Sequence, residues 1–101
     1  MSDRELLVLA AKAAGVNGFL VDAGLNIGSN AFPKVWNPLA DDGDALRLAV
    51  KLHMDFTLSG ERAAVAQAGS HFAQEYCNGD PYAATRRAIV RAAAEIGKEM
   101  K

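Results

Sequence analysis

One cysteine, three prolines, seven per cent aromatic residues and almost no net charge leave this chain short of the side chains that usually announce a function. A single thiol, Cys77, cannot close an intramolecular disulfide, and it would need several further ligands before it held zinc. A reducing cytoplasm fits that thiol best. The formal net charge of -1 and a pI near 6.1 remove the basic excess of a whole-domain nucleic-acid binder, leaving room only for a local basic patch. Met1-Ser2-Asp3-Arg4-Glu5 alternates in charge where a secretory signal needs a basic start and a long apolar run, and the uncharged stretches are broken by Gly and Asn. We read neither an export signal nor a membrane span. Glycines 15, 18, 24 and 28 are scattered through turn signals and make no phosphate-binding fingerprint ahead of a helix, and no cofactor is expected.

What is present is alanine. The hydrophobic fraction is 50%, but much of it is alanine, so there is less apolar area to bury than that figure implies, and 101 residues support one modest core. Ser2 with Glu5 forms a capping-box pattern that opens a helix over about 3–14, with Leu6, Leu9, Ala10 and Ala13 on one face and Gly15 as its stop. Phe19 to Val21 and Leu25 to Ile27 suggest a small hairpin, and 28–35 reads as loop. A second helix starts near Asp42 or Gly43 and buries Ala45, Leu48, Ala49 and Leu52. Met54, Phe56 and Leu58 alternate with Asp55 and Thr57 as a half-buried strand does, and Ser59-Gly60-Glu61 breaks it. Strands over 62–67 and 71–76 complete an antiparallel meander. Asp80-Pro81 opens the longest helix, to about Glu99, with Tyr82, Ile89, Ala93, Ile96 and Met100 on one face. The fold class expected is therefore α+β: three helices packed on a small antiparallel β-sheet in a single domain, residues 1–101.

Trp36-Asn37-Pro38-Leu39 and Asp41-Asp42-Gly43-Asp44-Ala45, taken with Asp80-Pro81-Tyr82 and Arg86-Arg87-Ala88-Ile89-Val90, resemble small proteins of tailed phages and prophages in proteobacteria, similar to the NinX-type accessory group. The resemblance covers roughly residues 36–97. It implies a bacterial host cytoplasm as the setting and implies little about mechanism.

Four groups of residues are candidates for chemistry. Asp41, Asp42 and Asp44 could hold a divalent cation, since hard cations take carboxylate oxygens. Their spacing does not follow the EF-hand loop, however, whose twelfth position falls here on Leu52, and acids at a helix start more simply cap it: Asp41 and Asp42 both sit where they can accept from first-turn amides, and Asp42 and Asp80 are the expected caps. His53, His71 and Cys77 have no motif spacing, so a metal or Cys–His catalytic site would require distant elements to converge. Arg86, Arg87 and Arg91 are the one basic concentration suited to phosphate, yet Glu95 and Glu99 mix the sign of that helix, as on a solvated face. Trp36 is read as a core anchor rather than an exposed binding aromatic.

The expected function is a non-enzymatic accessory protein of phage or prophage origin that acts through protein contacts. Its partner would be a second copy, in a homodimer formed at the exposed side of the last helix or an unpaired edge of the meander, or a host or phage protein. A nucleic-acid-associated protein using Arg86, Arg87 and Arg91 is the alternative. A small enzyme or metal-binding protein built on the acid cluster or Cys77 is the third.

Overall fold

Capping chemistry starts each helix. In the computed structural model, which describes residues 1–59 and 62–100, the Ser2 hydroxyl accepts from the Glu5 amide at 3.2 Å and α1 runs Asp3–Ala14. It ends at Gly15, whose φ of 70° is the left-handed conformation that glycine adopts without a Cβ penalty. Helix α2, Asp42–Lys51, begins behind Asp41, and α3, Pro81–Glu99, begins behind Asp80, whose carboxylate accepts from the Ala83 amide at 3.0 Å. Asp80 is the cap expected of it. Asp42 is not: it lies inside the first turn, and the residue in extended conformation with its carboxylate on the N3 amide is Asp41.

Among the described residues six short strands make two antiparallel sheets. β1 (Phe19–Val21), β2 (Gly24–Asn26) and β3 (Val35–Trp36) pair in that order, so the expected hairpin gains a third strand from a segment read as loop up to Val35. β4 (Asp55–Ser59), β5 (Ala63–Ala68) and β6 (His71–Tyr76) form the expected meander, with β5 central. The break expected at Gly60 and Glu61 lies outside the described residues.

Helix α3 is the centre of the molecule. α1 packs on one side of it and the β4–β6 sheet on another, with α2 against it as well. One hydrophobic cluster joins Leu6, Leu7 and Ala10 of α1, Trp36, Leu48 of α2, Ala64, Ala66 and Ala68 of β5, and Ile89 and Val90 of α3. The architecture is α+β, three helices on antiparallel sheet. Because α3 is covered on more than one side, its buried surface is a broad band rather than a stripe. Ile89 and Ala93 lie inside as expected, and so do Val90, Ala92 and Ala94, whereas Tyr82 (70%) and Met100 (43%) stay exposed. α1 is likewise turned: Leu7, Ala11 and Ala14 are buried, while Leu9 and Ala13 are only partly so. At Gly97 the two helices approach so closely that a Cβ would collide with the Leu9 carbonyl. Alanine and glycine are thus what permit the contact.

Candidate functional site

The segment from Trp36 to Lys51 is built from the turn upward. Asn37 Oδ1 accepts from the Leu39 amide at 3.0 Å, an Asx turn that leads through Pro38, and its Nδ2 donates to the Ala23 carbonyl at 2.8 Å. The Asn37 carbonyl accepts from the amides of Ala40 and Asp41 in a single turn, the extended backbone of Asp41 interrupts that turn, and Asp41 takes the cap of the helix that follows with a 2.8 Å bond from the Asp44 amide. Asp44 is buried. Its carboxylate accepts from the Asn37 amide at 2.9 Å and from Arg47 at 2.8 Å, closing a loop between turn and helix. Asp42 pairs with Arg86 of α3 at 2.7 Å. The three acids therefore face three different tasks: Asp41 caps, Asp42 clamps α3 and Asp44 anchors the turn. Among the described residues no three His, Cys, Asp or Glu side chains converge as a metal site would require. Trp36, next to this turn, is 6% exposed and belongs to the core.

The histidines and the thiol do not meet across the sheet. His71 opens β6 and holds Glu99 of α3 at 2.7 Å, while buried Cys77 follows the other end of β6. Six residues of strand put these two about 20 Å apart. His53 precedes β4, at the end of the sheet where β6 begins, and so also lies away from Cys77.

Arg86, Arg87 and Arg91 leave α3 toward three different elements. Arg86 donates to Asp42 and to the Leu39 carbonyl at 2.9 Å, Arg87 pairs with Asp3 of α1 at 2.9 Å, and Arg91 reaches Glu75 and the Gln74 carbonyl of β6. Each guanidinium already has a carboxylate, and together they tie α3 to α2, α1 and the sheet. A different set of cations does share a cleft: Lys34, Arg47 and Lys51 rim a hollow of about 310 Å³ with Trp36 and Leu48 among its walls. No sequence spacing joins Lys34 to the other two.

An apolar feature among the described residues also stands without a partner. Between α2, β4 and the start of α3 runs a groove of about 280 Å³ lined by Leu46, Phe56, Leu58, Tyr82 and Ile89, with Asp42 and Arg86 at its edge. β4 is exposed along its whole length, where alternation had pointed to a half-buried strand. Phe56 is 44% and Leu58 50% exposed, and only Met54, just before the strand, is buried. The reason lies in the placement of α3. Phe56 and Leu58 share a face with their partners Ala66 and Ala64, which α3 covers, but α3 packs mainly over β5 and β6 and leaves β4 overhanging. Leu46 lies off the stripe expected of α2, but Phe56, Leu58, Tyr82 and Ile89 all fall on faces expected to be buried, so the groove is not traceable in the sequence.

No protein-family model, curated protein or solved structure matches the chain. No described helix is long and apolar enough to cross a membrane.

Proposed function

We propose that the chain is an accessory protein of the tailed-phage and prophage kind, similar to the NinX-type group, working in a bacterial host's cytoplasm through protein contacts and without catalysis. The apolar groove between α2, β4 and α3 carries this reading. Leu46, Phe56, Leu58 and Tyr82 are exposed and contiguous around buried Ile89, while the acids and arginines that chemistry or phosphate binding would use are already engaged in holding the fold. The nucleic-acid alternative would require Arg86, Arg87 and Arg91 to release their carboxylates. A salt titration of DNA binding separates the two, because phosphate contacts give an affinity that falls steeply with salt.

A photo-crosslinking residue placed at Leu46 inside the host cell tests the main reading, with the same residue at exposed Lys98 as control. Discrete protein adducts at position 46 and none at position 98 are expected. No adduct at either position, with salt-sensitive DNA binding, would replace it by the alternative.

A further inference from the structure

We propose that β4 pairs antiparallel with β4 of a second copy, centred on Thr57, to make one six-stranded sheet. This rests on the protein-contact reading and names its partner. The ladder geometry fixes which groups of β4 are free. The Cys77 amide donates to the Arg62 carbonyl at 2.8 Å, and Arg62 and Cys77 extend the β5–β6 register by one pair. Hydrogen-bonded pairs alternate in an antiparallel ladder, so Ala64, Ala66 and Ala68 turn their amides and carbonyls to β6, and Ala63, Val65 and Gln67 turn theirs to β4. Their partners Ser59, Thr57 and Asp55 are thereby used internally. Phe56 and Leu58 are left with both backbone groups on the outer edge, unmatched by any other described residue.

A two-fold axis at Thr57 uses those groups fully. Phe56 then faces Leu58 of the partner copy and Leu58 faces Phe56, each an outward pair that exchanges two backbone hydrogen bonds, and both are large apolar side chains on the groove side. Thr57 faces its own copy, the arrangement in which hydroxyls can bond across strands. Asp55, the only charge in the strand, falls opposite Ser59 and not opposite itself. The segment DFTLS is therefore self-complementary in side chains, in charge and in free backbone groups.

The two edges of this sheet are treated differently. On β6 the same alternation turns Phe72, Gln74 and Tyr76 outward, and Arg91 occupies the central one of these, the Gln74 carbonyl, while also pairing with Glu75. β4 has no lysine, proline or bulge, which are the usual means of blocking an edge, and its five pairs with β5 run without interruption. A five-residue strand alone is too small for an interface of about 1,600 Å². The adjoining rim offers further apolar surface: Leu46, and Val50 one turn further along the same face of α2, are 52% and 67% exposed.

Sedimentation equilibrium and register-specific crosslinking test the proposal. Wild-type protein is expected at twice the 10.7 kDa chain mass, and Thr57→Lys at the single mass with unchanged circular dichroism. Thr57→Cys should oxidise to a disulfide-linked dimer, because facing Cα atoms of a non-hydrogen-bonded pair lie about 4.5 Å apart. Asp55→Cys should not, since its own copy would lie about 13 Å away along the strand. A wild-type monomer at every concentration overturns the pairing, and so does a dimer that crosslinks through Asp55→Cys and not Thr57→Cys. A monomer whose position 46 still gives adducts with a different protein loses the self-pairing and keeps the protein-contact reading.

Discussion

The two halves of the molecule are held by different physics. Around α3 the elements meet through methyl groups and one glycine: Ala10 and Ala14 on α1, Ala64 and Ala66 on β5, and Ala88, Ala92 and Ala94 on α3 are all buried. Such contacts have no direction, and they tolerate no extra volume. Around β2, β3 and the start of α2 the chain is held by a few side-chain-to-backbone bonds. Asn26 accepts from the amides of Gly28 and Lys34, Asn37 spans from β3 to Ala23, and Asp44 grips the Asn37 amide. Such bonds are directional and few, so each is individually costly to lose. One half resists the removal of any single group and the other resists the addition of one.

Four substitutions probe that contrast. Gly97→Ala gains helix propensity, yet its Cβ must displace the Leu9 backbone, so we expect a net loss of about 3 kcal/mol in urea unfolding, with α1 and α3 amides losing hydrogen-exchange protection together. A neutral result would mean that the helices part easily and that the alanine band is loosely packed. Asp44→Ala leaves the Asn37 amide and Arg47 without their acceptor and should cost about 2 kcal/mol. Its mark should be local, with faster exchange in 35–45 and none of the extra opening in α3. The smallest effects separate neighbouring acids. Asp41→Ala should cost about 1 kcal/mol as a lost cap, and Asp42→Ala, which loses an exposed partner for Arg86, less than about 0.5 kcal/mol. Equal denaturant midpoints for the two would dissolve that distinction.

The same contrast explains what could be read from the residues alone. Directional features carry local sequence marks: Ser2 with Glu5, Gly15, and Asp80 before Pro81 all mark boundaries that the structure keeps. Asp41 carried such a mark too, because Asp44 stands three residues after it, but the adjacent Asp42 obscured it. Non-directional features carry little. In a helix as rich in alanine as α3, the few large residues trace a stripe, yet the buried band is set by which elements surround the helix. Tyr82 and Met100 thus fell on the wrong side. β3 escaped because it is two residues long and framed by Pro33 and Pro38, too short for any alternation to register. The groove depends on how far α3 reaches across the sheet, a distance that no local pattern encodes.

The side-by-side course of α1 and α3 has a bearing on how the chain comes to be folded. Asp3 meets Arg87 and Lys12 meets the Met100 carbonyl, so the two helices run in the same direction although 84 and 88 residues separate those partners. A twelve-residue helix is marginal in water by itself. As the polypeptide leaves the ribosome, α1 therefore emerges with Leu6, Leu7, Ala10 and Ala11 uncovered, and it must wait for nearly the whole of the described sequence before its cover is made. Contacts of such long sequence separation slow folding and lengthen the exposure of apolar surface.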